Sequence, residues 1–248
     1  MEPVYRGIEI AAATAARLLG TKITYLGLEN IPAEGGAVVA MNHISYIDYL
    51  AAGLASRQRR RRIRYMLKAE ALEHPAVDWI ITHTDCIPVD RSAGAGAYAE
   101  AVHRLRIGQL VGVFPEATIS RSFELKEFKT GAVRMALDAG VPIVPLVIWG
   151  PQRMWTKGHP KNLGRRKIPW IVRAGTPIAP QGTMAELDAA LRAEMTEVLH
   201  QVQEQYPHPQ GAFWVPRRLG GAAPDPDEAR RLDEAERAER ARRAAESP

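Results

Sequence analysis

Three short apolar runs constrain this chain most: residues 37–41 (AVVAM), 110–114 (LVGVF) and 141–148 (VPIVPLVI). Each is bounded by Gly or Pro and separated from the next by segments of helical length, which is how the buried strands of an α/β layer fold read. Weaker strand patterns occur at 22–28, 63–67, 86–89 and 168–173. Helical spacing is clearest at 3–19, where Val4, Ile8, Ala15 and Leu18 share a face and Gly20 stops the run. Further helices are predicted at 47–56, 97–106, 128–139 (with Gly140 as its cap) and 183–205, the last opened by Thr183 and Glu186 in a capping-box pattern. Residues 69–83 read as helical but broken by Pro75, and 92–96 as a loop. Pro142 and Pro145 argue that the 141–148 run lies at an edge, a bulge or a strand end near a site.

The predicted fold is therefore α/β: a single-domain, twisted mixed β-sheet flanked by helices, with an N-terminal helix and a charged C-terminal tail. Residues 1–21 form a helix that either associates with a membrane or docks on the core. Residues 22–215 form the domain. Residues 216–248 begin as a linker at Gly220-Gly221, Pro224 and Pro226, and continue as a charged stretch that is either a solvated helix or disordered, with no catalytic role assigned.

Composition removes several function classes. The one cysteine, Cys86, excludes an intramolecular disulfide framework and a thiolate-rich zinc site. No apolar stretch approaches the roughly 20 residues of a spanning helix, so membrane contact is expected to be peripheral. The net charge of +5 is unevenly distributed. Residues 57–68 and 139–185 each hold seven basic side chains and no acid; together they carry +14, which leaves −9 on the remainder. A localised positive field of this kind suits an anionic surface or a phosphorylated ligand. Trp149, Trp155 and Trp170 lie within or beside the second basic segment, a mixture that fits nucleic acid through stacking or a membrane interface through its headgroup layer.

Two clusters carry chemistry. The first is Asn42-His43-Ile44-Ser45-Tyr46-Ile47-Asp48, between the 37–41 strand and a helix. A carboxylate five residues after a histidine can fold back onto one imidazole nitrogen and leave the other as a base. Ser45 is a poor nucleophile candidate because it lies so close along the chain, so His43 would act directly on a substrate hydroxyl. The plainer reading is a surface histidine beside a helix-capping aspartate. The second cluster is Phe114-Pro115-Glu116-Ala117-Thr118-Ile119-Ser120, after the 110–114 strand. There Glu116 would bind a hydroxyl, position a cation, or simply cap a helix. His74, His83 and His103 show no metal-ligand spacing, and Cys86 reads as a small core residue.

Four ordered blocks, NHISYID (42–48), CIPVDR (86–91), FPEATIS (114–120) and VPIVPLVI (141–148), with YMLKAE (65–70) and FKTGA (128–132) between them, resemble the glycerolipid acyltransferase family, of the bacterial 1-acylglycerol-3-phosphate (lysophosphatidate) type. The resemblance spans roughly residues 25–180 and makes 22–215 an acyltransferase domain. It implies acyl transfer from a thioester, on coenzyme A or acyl carrier protein, to a glycerol hydroxyl, without an acyl-enzyme or a metal or other cofactor. His43 would be the general base and Asp48 its orienting partner. Arg91 would contact the acceptor phosphate through its guanidinium fork, and Glu116 would position the acceptor, with Thr118 in the same motif. Implied partners are an anionic membrane surface, the lysophospholipid acceptor and the thioester donor, and not nucleic acid. The implied location is peripheral, on the cytoplasmic face of the cell membrane.

One block departs from the family pattern. The usual Phe-Pro-Glu-Gly-Thr-Arg-Ser has Ala117 for its glycine and Ile119 for its arginine here. Ile119 cannot bind phosphate. Arg121, Lys68 or Lys129 would substitute, or the acceptor is different: glycerol 3-phosphate, a glycolipid or another lysophospholipid. Alanine at 117 is further expected to exclude a positive φ, which glycine adopts at little cost.

Overall fold

The computed structural model describes residues 2–68, 79, 82–89 and 94–246. Among them are six α-helices: α1 (Pro3–Leu18), α2 (Asp48–Gln58), α3 (Gly94–Arg106), α4 (Gly131–Ala139), α5 (Met184–Gln205) and α6 (Pro226–Glu246). The strands are β1 (Ile23–Leu26), β2 (Ala37–Met41), β3 (Ile63–Lys68), β4 (Ile87–Val89), β5 (Leu110–Val113), β6 (Ile143–Trp149) and β7 (Trp170–Ala174). They form one mixed sheet in the order β1-β7-β6-β2-β5-β3-β4. Every pairing is parallel except β6 with β7.

The apolar runs end up where full burial demands. All five residues of β2 and all seven of β6 are buried. Alternation along β2 divides the core into two layers. Val39 and Met41 face Ala51, Ala52 and Ala55 of α2, while Val38 and Ala40 face α3, α4 and the start of α5. The small alanines bring α2 close to the sheet. Gly112 inside β5 leaves room for side chains of the neighbouring strands: a Cβ there would lie 2.4 Å from Ile63 Cγ2.

Pro145 lies in an interior strand, not at an edge, because β6 is flanked by β2 and β7. The ladder with β7 runs only as far as Leu146–Ala174 and resumes at a single bridge, Ile143–Ile178. The missing N–H of Pro145 falls in that gap, so of the three options the bulge is the one realised. Residues 94–96, predicted as part of a loop, are the first turn of α3. The helix expected from 128 begins only at Gly131. The capping box of α5 forms as predicted, with Glu186 N donating to Thr183 Oγ1 (3.2 Å) and Thr183 N donating to Glu186 Oε2 (2.7 Å).

Helix α1 docks. Tyr5 and Ala16 are buried, and the Tyr5 hydroxyl donates to Ile63 O at 3.1 Å, while Ile10 and Leu18 stay exposed. The first basic segment turns out to be internal stapling, not a continuous anion-binding face. Arg59 donates to Ile31 O, and Arg61 donates to the carbonyls of Pro32, Gly35 and Gly108. Arg62 and Arg64 pair with Glu2, and Arg64 is buried. Arginine's fixed fork can satisfy several loop carbonyls at once, so these charges are used inside the fold. The stretch after Pro216 is not an extended linker either. Ala223 is fully buried, and its N–H bonds Val215 O at 3.1 Å. Beyond it α6 is helical, and its Asp233 and Glu236 pair with Arg121 of the domain.

Candidate active site

Strands β2, β5, β3 and β4 run parallel as neighbours, so the segments that follow them emerge along one edge of the sheet. The crevice outside the carboxyl ends of such strands is where open α/β sheets bind ligands. The first and third blocks meet there because β2 and β5 are adjacent. Asn42 anchors the first block to β6: its side-chain amide donates to Ile148 O (3.0 Å) and accepts from Ile148 N (2.7 Å).

His43 Nδ1 donates to Asp48 Oδ2 at 3.0 Å. The same oxygen accepts the N–H groups of Ile44 and Ser45, both at 2.7 Å. One carboxylate therefore closes the turn and fixes the imidazole tautomer, leaving Nε2 unprotonated. Asp48 is fully buried; burial raises its pKa, and the bonds from His43, Ser45 and Ile44 oppose that rise. The His43 ring stacks on Phe114 at 4.0 Å between centroids, with its side chain 21% exposed. The imidazole is thus clamped on one side and open on another. Ser45 is buried, with Oγ donating to Trp155 O at 2.6 Å, so the hydroxyl is spent on holding the loop.

Glu116 supports the same loop from β5. Its Oε1 accepts His43 N and its Oε2 accepts Lys126 N, each at 2.9 Å. Both oxygens are thus engaged by backbone. Burial pushes this carboxyl up to about 7, against the pull of the Lys126 and His43 N–H groups. Ser120 N donates to His43 O at 2.7 Å, and Thr156 Oγ1 to Ile44 O at 2.7 Å. Residues from β2, β5 and the segment after β6 thus brace the His43 loop.

Ala117 adopts φ +57°, contrary to the expectation that alanine excludes that conformation. The tight turn, with Ala117 N bonded to Phe114 O (2.9 Å) and Thr118 N to Glu116 O (2.7 Å), enforces it. Ile119 is buried. The side chain that replaces the family's arginine has gone into the core.

The predicted substrate-binding residues are differently placed. Arg91 lies outside the described residues. Lys68 ends β3, and its side chain is likewise outside them. Lys129 is exposed, with its N–H on Pro115 O at 2.9 Å. Thr118 Oγ1 accepts from Lys126 Nζ at 2.8 Å. Arg121 faces α6, where its Nε bonds Asp233 (3.1 Å) and its Nη2 bonds Glu236 (2.8 Å). Lys126, Lys157, Asp233 and Glu236 were not foreseen as neighbours of the site. Pairs separated by 76–115 residues leave no spacing signal in a single sequence. Trp149 and Trp170 are core residues, so the aromatic stacking platform considered for nucleic acid is absent at those two positions. Among the described residues, no group of His, Cys, Asp and Glu is arranged to hold a metal, and no helix is long and apolar enough to cross a membrane.

Comparison with known proteins agrees with this geometry. The family model described as Acyltransferase matches residues 22–149, which contain all four blocks. The 1-acyl-sn-glycerol-3-phosphate acyltransferase of Bacillus subtilis is 30% identical over 178 residues, covering 70% of this chain and 82% of that protein. That of Borreliella burgdorferi is 29% identical over 150 residues, 59% of each chain. The crystal structure of the 1-acyl-sn-glycerophosphate acyltransferase from Thermotoga maritima shares the fold, with a TM-score of 0.67 at 23% identity over 82% of this chain and 81% of that one. With the histidine and aspartate of the first block bonded to each other at the carboxyl edge of the sheet, and that sheet matched from β1 through β6, the chain belongs to the acyltransferase family.

Proposed function

We propose that this protein transfers a fatty acyl group from acyl-CoA or acyl carrier protein to the free hydroxyl of 1-acylglycerol-3-phosphate, giving phosphatidate at the cytoplasmic face of the cell membrane. The observation that carries the reading is the His43–Asp48 pair, at 3.0 Å, on a ring that is 21% exposed. His43 Nε2 takes the proton of the acceptor hydroxyl as its oxygen attacks the thioester carbonyl carbon. Asp48 stabilises the imidazolium that forms. The tetrahedral intermediate collapses, the carbon–sulfur bond breaks, and the leaving thiolate takes the proton back from His43. With Ser45 Oγ committed to Trp155 O, transfer is direct and needs no acyl-enzyme.

Glu116 has both oxygens on backbone N–H groups and acts by positioning the His43 loop. Arg91, with Thr118, Lys68, Lys129 and Arg121 as further candidates, would bind the acceptor's phosphate. Membrane contact is supported by exposed Leu163 and Phe213 close to Lys161 and Arg166, apolar and basic side chains of the kind that sit at a headgroup layer. The names of the relatives favour the phosphorylated acceptor over the other lipids. The test is thiol release from acyl-CoA with 1-acylglycerol-3-phosphate, glycerol 3-phosphate and a choline lysophospholipid as rival acceptors. His43→Ala should abolish release. Release at the original rate in that variant would remove the mechanism, and equal rates with all acceptors would remove the assigned substrate.

A further inference from the structure

The C-terminal helix is held against the domain by charge. Among the described side chains of α6 only Ala229 and Asp233 are buried, and its one leucine, Leu232, is 42% exposed. What Asp233 meets, together with Glu236 one turn on, is a cluster of three cations. Asp233 Oδ1 accepts from Arg121 Nε (3.1 Å) and Lys157 Nζ (3.4 Å), and Asp233 Oδ2 accepts from Lys126 Nζ. Glu236 Oε2 accepts from Arg121 Nη2 (2.8 Å) and pairs with Lys157 Nζ (3.1 Å). Three carboxylate oxygens, carrying two negative charges, thus bridge three cations. A phosphomonoester presents the same inventory, three terminal oxygens and a charge of about −1.5 to −2.

The cluster adjoins the catalytic loop on every side. Arg121 follows Ser120, which bonds His43 O, and Lys157 follows Thr156, which bonds Ile44 O. Lys126 bonds Thr118 through its ammonium group and Glu116 through its N–H. Gly158 makes room for it: a Cβ there would stand 2.8 Å from Arg121 Nη1. The connection to α6 passes through Gly220, in the left-handed region at φ +81°, and Gly221.

We infer that α6 is an internal competitor: Asp233 and Glu236 occupy an anion site formed by Arg121, Lys126 and Lys157, and a phosphomonoester entering that site displaces the helix. This rests on the acyl-transfer reading, in which the acceptor carries such a group. Helix docking and phosphate occupancy then exclude each other, and the strap sets how much phosphorylated acceptor is needed before the site opens.

The test uses the full chain with Cys86→Ser and Ala238→Cys, the exposed new thiol carrying a nitroxide, so that mobility reports α6 while thiol release reports acyl transfer. The titrants are 1-acylglycerol-3-phosphate in phosphatidylcholine vesicles, glycerol 3-phosphate, inorganic phosphate, phosphatidylcholine vesicles alone, phosphatidylglycerol vesicles, and sodium chloride at matched ionic strength. Phosphomonoesters should mobilise the label. A lipid-borne group acting at lower concentration than soluble phosphate would identify the acceptor as the source; equal potency would identify phosphate itself. Asp233→Asn with Glu236→Gln should lower the half-mobilising concentration and the acceptor KM at least five-fold, with kcat within two-fold. Glu236→Gln alone, at the more exposed carboxylate, serves if the pair does not fold. A label that stays immobile at saturating acceptor while thiol is released overturns the inference and leaves acyl transfer standing. Mobilisation by phosphatidylglycerol or chloride as strong as by phosphomonoesters overturns it as well. Mobilisation without thiol release keeps the strap and overturns acyl transfer.

Discussion

Asp48 performs two tasks that substitution can separate. Its Oδ2 closes the turn through Ile44 N and Ser45 N and also receives His43 Nδ1, while its buried Oδ1 has no hydrogen-bond partner. In Asp48→Asn the amide oxygen can take the Oδ2 place, and the new NH₂ falls where no bond existed. The turn survives, and a carboxylate that burial disfavours is gone, so stability should change by less than about 1 kcal/mol. The charge opposite the imidazolium is lost, however, and kcat should fall by about 10²–10⁴. In Asp48→Ala two buried N–H groups lose their acceptor, at about 1–3 kcal/mol each, so stability should fall by about 2–6 kcal/mol. At roughly 2–4 °C per kcal/mol for a chain of this size, that is a drop in Tm of at least about 4 °C. Thermal melting and thiol release, measured on both variants, decide the matter. Asp48→Asn retaining more than about a tenth of the wild-type kcat would show that orientation alone matters. Asp48→Asn melting as low as Asp48→Ala would refute the two-task account.

Glu116→Gln leaves one of the two backbone N–H groups facing an NH₂ in place of an oxygen; it should lower kcat at least ten-fold by loosening His43, and circular dichroism should show the fold retained. The Glu116 carboxyl lies near 7 in the folded chain against an ordinary value of 4.5. The native state therefore holds a proton that the unfolded chain has released between those values, and stability should fall as pH rises through that window, by up to about 3 kcal/mol. Urea melts at pH 5 and pH 8 should show a smaller difference in Glu116→Gln than in the wild type. Ala117→Gly relieves a left-handed residue worth about 1–2 kcal/mol but adds unfolded-state freedom worth about 0.4–1 kcal/mol. The net gain lies between about 0 and about 1.6 kcal/mol, and a lower Tm in the glycine variant would contradict the strain at 117.

Local information was sufficient for much of this protein. The AVVAM run read as a buried strand because five apolar residues between turns match the length of a strand and fall short of a helix. The Thr183–Glu186 capping box marked the start of α5 because its bonds span only three residues. The His43–Asp48 pair was legible for the same reason: a separation of five residues can close within one turn. The role of Pro145 was only half legible, since a missing N–H demands a gap in the ladder but does not say which strand provides it.

What the sequence by itself determined is most of the strands and helices up to α5 and the His43–Asp48 contact, because helical period, strand period and short-range turns are properties of neighbouring residues. Tertiary structure alone decided how the charges are used. Arg59 and Arg61 ran with other arginines in a block that resembled an anion-binding face, yet they staple loop carbonyls. The C-terminal stretch looked like a solvated tail with no bearing on the site, yet its acids lie on Arg121, Lys126 and Lys157. A charge acts over a few ångströms of space, and only the folded chain places residues 112–115 positions apart within that distance.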